Sequence, residues 1–402
     1  MLMDDKEFEQ PLEEVINNFV LPNCGLQVNP VIIDKSGVAI PLILSKPGAG
    51  KTSIMNQKSV GYNWGMITIQ PALKPIEEYG GIPKFKYFKF DATDPDNKTL
   101  GTIWSIPEVI VDLYKLSKTK DLVLFFWDDI HLCGPEHLAL MQECFTERAI
   151  RGYKLPSNCA IVLAGNPSNK AGFRSLSSAI INRCVRLPVY AKFEDWKNNF
   201  AVPNEMHHSI ISFLGHPMYT KFFHEEEQVD MPWSSPRQWA RLSNFVTSYE
   251  EGTGKMMPTN QLLFYATGHV GSEAASQYMR HYEIYSKFDV ENAFNDSENF
   301  VVPSDELERY IFVFAALDYI TSRKKKDQKE LAIQVSNIEE KFLNVDESLG
   351  LLLLKEILLV KKTKALKIKV DSLMNDIFNE LNKKFPDLLK KILDERKEID
   401  DE

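Results

Sequence analysis

The sequence lacks long apolar runs, an excess of basic residues and closely spaced cysteine pairs. Its longest apolar stretches, LVLFFW and GLLLLKEILLV, are too short or too interrupted by charge to span a bilayer. A net charge of −9 gives no general basic field for nucleic acid, although it leaves room for a local basic patch. The 402 residues, 44% hydrophobic and 26% charged, instead indicate an ordinary globular chain of two to three domains.

Cysteine is scarce, and its spacing does not favour disulfides or a metal centre. Most of the five cysteines lie in apolar runs, which is typical of reduced core residues. They are Cys24, Cys133, Cys144, Cys159 and Cys184. The acidic start MLMDDKEFEQ also lacks the basic-then-apolar order of a signal peptide. We therefore expect a soluble protein in the reducing cytoplasm, with no membrane partner.

Between residues 31 and 190, short β-rich runs alternate with helical patterns. Continuous apolar strands that alternate with helices favour a parallel sheet covered on both faces, and ligands of such sheets bind beyond the carboxyl ends of the strands. The expected strands are 38–44, 66–70, 122–127, 159–165 and 184–189. We therefore predict an α/β fold of three layers, with its chemistry at one edge of the sheet.

The flanking segments read as helical. Residues 1–30 suggest a helical segment, and 191–295 form an aromatic-rich helical domain. A polar stretch with a proline at 286–306 indicates a boundary, and 296–402 carries amphipathic patterns of a C-terminal helical domain. The basic run 323–326 is more typical of a solvated helix end than of a site for an acidic partner.

The octapeptide SKPGAGKT at 45–52 has the features of a phosphate-binding loop between a strand and a helix. Gly48 and Gly50 let the backbone approach an anion, and the following helix directs its positive end there. Lys51 would contact the β- and γ-phosphates, and Thr52 would offer its hydroxyl to Mg²⁺. Ser45 replaces the usual leading glycine, at a cost of about 1 kcal/mol if that position needs positive φ. The alternative is a tight turn without a ligand.

The remaining loop positions are expected to surround the phosphates through their backbone. These are Lys46, Pro47, Ala49 and Ser53.

Two adjacent carboxylates follow the apolar run LVLFFW. Asp128 is placed to hold the metal ion, through water, and Asp129 to polarise the attacking water. Many such enzymes have glutamate at the second place, and the shorter aspartate favours slower turnover. The alternative is an acidic helix N-cap. We favour the catalytic interpretation because a phosphate-binding loop lies upstream.

Three further polar residues are candidates for the same site. Asn166 ends the run CAIVLAG and can bind both the γ-phosphate and the lytic water, although asparagine before proline is also common in turns. Arg183 can stabilise charge on the transferred phosphoryl group, or simply end a helix; Arg174 and Arg186 compete with it. Arg237 stands in the first turn of a helix, where a cation is misplaced unless an anion binds nearby.

In this order, the motifs resemble those of the AAA+ ATPases, and within them the MoxR branch. They are the loop at 45–52, the acid pair at 128–129, LAGNP at 163–167, NR at 182–183 and SPR at 235–237. The segments IEEYGGIP, RGYKLP, FEDWKNNFAVP and SPRQWARLS resemble a bacterial and phage subgroup of MoxR-like proteins. The resemblance covers about residues 35–250.

The resemblance implies a P-loop NTPase sheet of strand order 5-1-4-3-2, followed by a helical lid. ATP is the implied nucleotide, with Mg²⁺. Arg183 is then similar to an arginine finger that acts in a neighbouring subunit, and Arg237 to a second sensor in the lid. A homo-oligomeric ring, commonly a hexamer, is implied, as is chaperone-like remodelling of a protein substrate together with a von Willebrand factor A domain protein.

In the same family, the insert at about 71–105 carries loops that face the pore of the ring. Tyr79, Phe85, Tyr87 and Phe88 are candidates for gripping a polypeptide there, although ordinary packing is the favoured interpretation for each one taken individually. The sequence also leaves open an ATP-dependent nucleic-acid motor, which the net charge disfavours, and a nucleotide-binding scaffold with little turnover.

Overall fold

The computed structural model describes residues 9–31, 38–89, 98–166, 176–226, 230–322, 328–364 and 371–390. The chain divides into two compact units, Met1–Ala191 and Lys192–Glu402. Every described strand lies in the first unit, and the described part of the second unit is helical. The finer boundaries expected near residues 30 and 295 stay predictions.

The first unit contains the ten described strands and seven α-helices. The strands are β1 (Gln10–Pro11), β2 (Ile40–Leu44), β3 (Gly65–Ile69), β4 (Pro83–Lys89), β5 (Lys98–Trp104), β6 (Val123–Trp127), β7 (Ala149–Ile150), β8 (Tyr153–Lys154), β9 (Cys159–Gly165) and β10 (Cys184–Tyr190). The helices are α1 (Leu12–Val15), α2 (Leu21–Val28), α3 (Lys51–Gly61), α4 (Ile76–Gly80), α5 (Glu108–Ser117), α6 (Pro135–Glu147) and α7 (Ser178–Ile181).

Six strands form one parallel sheet in the order β1-β10-β2-β9-β6-β3. Counted along the chain, its five long strands run 5-1-4-3-2, which confirms the predicted order and the P-loop α/β fold. The two-residue strand β1 was not predicted; it extends the edge of the sheet by pairing with β10.

Alternation along the central strands fills two cores, one on each face of the sheet. Phe125 and Trp127 of β6 point to one face and join apolar residues of α5 and α6. Leu124 and Phe126 point to the other face, where they join α1, α2 and Met55 of α3. Because both faces are covered, the strands are continuous apolar runs, as the sequence indicated.

Two antiparallel hairpins stand outside this sheet, β4–β5 and β7–β8. The first occupies the predicted insert and exposes Phe85 and Tyr87. Tyr79, the first of the four candidates, is only 6% exposed, and its hydroxyl donates to the Gln70 carbonyl at 3.2 Å. For Tyr79 the structure thus agrees with the packing alternative, because the ring joins the core that contains residues of α5 and α6.

The base of the β4–β5 hairpin contacts the turn region of the β7–β8 hairpin. The Arg151 guanidinium lies 4.1 Å from the centre of the Trp104 ring, at the end of β5. The Tyr153 hydroxyl of β8 donates to the Trp104 carbonyl at 2.7 Å. These cation–π and hydrogen-bond contacts fix the position of the base of the β4–β5 hairpin.

The second unit contains ten described α-helices. They are α8 (Phe193–Trp196), α9 (His208–Gly215), α10 (Pro236–Thr253), α11 (Thr259–Val270), α12 (Ser272–Lys287), α13 (Val290–Asn295), α14 (Glu306–Ser322), α15 (Gln328–Val345), α16 (Glu347–Lys364) and α17 (Asp371–Lys384). Among the helices that the structure describes, none combines the length and the apolar composition that a bilayer-spanning segment needs.

Buried polar groups tie the helices of the second unit together. The Lys197 ammonium pairs with Glu194 at 3.0 Å and with Glu356 of α16 at 2.8 Å. Trp239 of α10 is fully buried and donates its indole N–H to the Phe222 carbonyl at 2.7 Å. Such satisfied buried groups fix one arrangement of helices, since leaving one unpaired would be costly.

All five cysteines are free thiols, which agrees with their interpretation as reduced residues. Cys24, Cys133, Cys144 and Cys159 are buried, and Cys184 is half-buried. Burial raises the pKa of Cys24 and Cys159 to about 12, which makes these thiols poor nucleophiles.

Candidate functional site

The candidate site begins where β2 ends and the backbone turns into α3. Gly48 and Gly50 adopt φ of 82° and 96°, in the left-handed region that favours glycine. Gly50 is the N-cap residue of α3, so the first turn of that helix, with Lys51 and Thr52, opens directly onto the loop. Ser45 is not among the residues with positive φ. The strain considered for this serine therefore does not arise.

Lys51 is the most enclosed charge of the loop. Its side chain folds back over the turn, and the residue is only 7% exposed. Its Nζ donates to the Ser45 carbonyl at 3.3 Å, to Ser45 Oγ at 3.0 Å and to Asn166 Oδ1 at 2.6 Å. These contacts hold the ammonium between the carboxyl ends of β2 and β9.

The acid pair lies at the same edge of the sheet. Asp128 directly follows β6 and is 6% exposed, and Thr52 Oγ1 donates to its Oδ2 at 2.6 Å. Asp128 Oδ1 accepts from the backbone N–H of Asp129 at 3.0 Å. The structure thus brings the loop and the first carboxylate into direct contact.

Asp129 adopts a left-handed conformation, φ 53°, immediately before a 3₁₀ turn at Ile130–Leu132. Its side chain makes no capping hydrogen bond to that turn. Instead, its Oδ1 accepts from Asn166 Nδ2 at 3.2 Å. The carboxylate is therefore directed towards the end of β9, which weakens the helix-cap alternative.

Asn166 connects the two halves of the site. Its amide oxygen accepts from Lys51 and its amide nitrogen donates to Asp129, so both ends of the amide have a defined partner. Lys51, Asn166 and Asp129 form one hydrogen-bonded chain across β2, β9 and β6. An asparagine that served only to form a turn would not need these contacts. The next segment, 167–175, which includes the candidate Arg174, lies outside the described residues.

The sequence reasoning missed His131, three residues beyond Asp128. Its imidazole lies against Gly165, and a Cβ placed on Gly165 would overlap the ring, with Nδ1 nearest. Nδ1 is buried and has no hydrogen-bond partner among the described residues. Burial, reinforced by the charges of Arg186 and Lys51, lowers the pKa of His131. Its place two residues after the acid pair was the available signal.

The three predicted arginines are placed differently. Arg183 follows α7, and its guanidinium donates to the Ala179 carbonyl at 2.7 Å, as a helix-ending arginine does. Arg186 lies on β10 and is exposed. Arg237 is the second residue of α10 in the other unit, where the Ser235 hydroxyl caps the helix by accepting from Gln238 N–H at 3.4 Å. The roles assigned to Arg183 and Arg237 stay predictions.

The donor chemistry at the site suits Mg²⁺ together with a phosphate. Thr52 and Asp128 offer a hydroxyl and a carboxylate side by side, which are hard oxygen ligands. Within the described ranges, no cluster of three or more His, Cys, Asp or Glu residues could hold a metal ion alone. A cation here would complete its shell with phosphate oxygens and water, which is how Mg²⁺ usually binds at nucleotide sites.

No protein-family model matches the sequence, and no curated protein matches it. Among solved structures, the chain is similar to a point mutant of RuvB from Thermotoga maritima, at 12% identity and a TM-score of 0.33, over 73% of this chain and 78% of that one. It is also similar to a candidate ATPase from Cytophaga hutchinsonii, at 13% identity and a TM-score of 0.29, over 94% and 92%. Such low scores do not add to what the sheet order shows.

Proposed function

We propose that this chain is an AAA+ ATPase of the MoxR-like type, which binds Mg-ATP at the 45–52 loop and hydrolyses it. One observation carries the proposal: Thr52 contacts Asp128 at 2.6 Å, while Lys51 contacts Asn166 at 2.6 Å. Residues far apart in sequence thus meet where three parallel strands end. This is where parallel α/β sheets bind their ligands.

Each residue of this group has a distinct task in the proposal. The backbone N–H groups of the loop between Lys46 and Ser53, except at Pro47, which has none, bind the phosphate oxygens, assisted by the positive end of α3 and by the Lys51 ammonium. Asp129 accepts a proton from, or orients, the attacking water, and Asn166 holds that water against the γ-phosphate. The bond from Asn166 Nδ2 to Asp129 Oδ1 supports a joint role for the two.

Thr52 and Asp128 would hold the magnesium ion, directly or through water. When bound, Mg²⁺ neutralises charge on the β- and γ-phosphates. Two adjacent carboxylates repel one another less when such a cation is bound nearby.

We further propose that the protein acts as a homo-oligomeric ring, hexameric as is common in the family, which remodels a partner protein in the cytoplasm. A von Willebrand factor A domain protein is a suitable partner class. In such a ring Arg183 would complete the site of a neighbouring subunit, and Arg237 would act on the nucleotide of its own subunit. For this role the Arg183 guanidinium would have to exchange its bond to the Ala179 carbonyl for the phosphate of the neighbouring subunit.

Steady-state ATP hydrolysis by matched variants tests the proposal. Lys51→Ala should lose nucleotide binding, and Asp129→Asn should bind Mg-ATP but turn it over at least about 100-fold more slowly. Lys115→Ala, on the exposed face of α5, is the matched lysine control and should behave as wild type. Hydrolysis that survives Lys51→Ala and Asp129→Asn would refute the assignment.

The ring is tested by mixing variants. Arg183→Ala should bind ATP but not hydrolyse it, and mixing it with Asp129→Asn subunits should restore activity if the arginine acts between subunits. Absence of rescue at every ratio would contradict the shared site.

Arg237→Ala should weaken binding or hydrolysis within its own subunit. Binding of ATP without measurable turnover in the wild type would favour the low-turnover scaffold.

A further inference from the structure

Ser45 stands where phosphate-binding loops usually begin with glycine, and its hydroxyl makes two hydrogen bonds within the loop. The residue is 1% exposed, and its hydroxyl lies 3.0 Å from the Lys51 ammonium. The same hydroxyl donates its own proton to the Lys46 carbonyl at 3.1 Å. With its proton directed to the Lys46 carbonyl, the hydroxyl meets Lys51 as an acceptor.

An ammonium group has three N–H donors. The Ser45 carbonyl, Ser45 Oγ and Asn166 Oδ1 together match all three of those of Lys51. A phosphate oxygen that binds Lys51 must therefore displace or share one of these acceptors. The carbonyl is present whatever residue occupies position 45, whereas the hydroxyl depends on serine.

We propose that the Ser45 hydroxyl competes with bound phosphate for the Lys51 ammonium and thereby weakens the affinity for Mg-ATP. The inference rests on the proposed function and adds to it a residue that sets nucleotide affinity. A hydrogen bond to a charged group in a buried place is stronger than a neutral one, so its loss on binding has a measurable cost. Removing the hydroxyl removes one of the acceptors with which a phosphate oxygen must compete for Lys51.

The backbone at position 45 permits a clean test. Since Ser45 is not among the residues with positive φ, alanine and glycine both fit its conformation. Ser45→Ala and Ser45→Gly should each bind Mg-ATP about tenfold more tightly than wild type, which corresponds to about 1.4 kcal/mol. Ser59→Ala is the matched control: Ser59 is 2% exposed on the same helix α3, and its hydroxyl donates to the Asn56 carbonyl at 2.8 Å.

Calorimetric titration of Mg-ATP into the full chain gives the dissociation constants, and thermal melts confirm folding of each variant. The KM of both Ser45 variants should fall in parallel with Kd. Dissociation constants equal to or weaker than that of wild type in both folded variants would overturn the role of Ser45. A wild type that releases no heat with Mg-ATP would instead remove the proposed function, and the inference with it.

Discussion

The contact between Gly165 and His131 gives a quantitative prediction for the site. A Cβ on Gly165 would lie nearer to the imidazole than the 3.0 Å that real Cβ contacts respect, and its three nearest atoms all belong to His131. Overpacking of this kind typically costs 1 to 3 kcal/mol, so Gly165→Ala should lower the free energy of unfolding by about 2 kcal/mol. The ring or the end of β9 must shift, which would also move the neighbouring Asn166 and reduce ATP turnover.

Because His131 alone supplies the clash, His131→Ala should relieve it. The double variant should be destabilised less than the two single variants together, with a coupling of at least about 1 kcal/mol. Urea unfolding measures the stabilities, and a phosphate-release assay measures turnover. Gly61→Ala is the matched control, since nothing lies within 4 Å of a Cβ there. A Gly165→Ala variant as stable and active as wild type, or strictly additive effects, would refute the reasoning.

Three further results are expected elsewhere in the molecule. Glu339 of α15 is fully buried without a partner for either carboxylate oxygen among the described residues, and burial raises its pKa well above 4.5. Because the pKa is higher in the folded state, the contribution of this carboxyl group to stability is complete below pH 4.5 and is lost as the pH rises through the folded-state pKa. Glu339→Gln cannot ionise, so in urea unfolding it should lose less stability than the wild type towards alkaline pH. Identical pH profiles of the two proteins would contradict this. Ser235→Ala should destabilise α10 by about 1 kcal/mol in thermal melts, whereas an unchanged melt would exclude the cap. Native protein should react with a thiol reagent far more slowly than unfolded protein, because four of its five cysteines are buried; equal rates would contradict that burial.

The fold could be predicted to the level of strand order. Apolar runs such as LVLFFW located the central strands, because strands buried on both faces carry no polar alternation. The 5-1-4-3-2 order came from the resemblance and agrees with the observed sheet. The two-residue strand β1 was not predictable, since it depends on pairing with β10, about 180 residues away.

The candidate site could be predicted in part. The loop glycines and the residues after β6 and β9 could be found because parallel sheets bind their ligands at the carboxyl ends of the strands. The sequence could not separate the buried Tyr79 from the exposed Phe85 and Tyr87, since an aromatic residue in an insert looks the same in sequence whether it packs inward or faces solvent. The contact of His131 with Gly165 and that of Ser45 with Lys51 depend on side-chain directions that no periodicity encodes.

The central claim is that the amides around Gly48 to Thr52 bind a triphosphate whose magnesium ion is shared with the acid pair. A crystal structure of the chain with Mg²⁺ and a non-hydrolysable ATP analogue tests this most directly. We predict the β- and γ-phosphates at the N-terminus of α3, with the ion about 2.1 Å from Thr52 Oγ1 and bound to Asp128 directly or through one water. A triphosphate bound elsewhere, or a metal ion remote from both residues, would contradict the account.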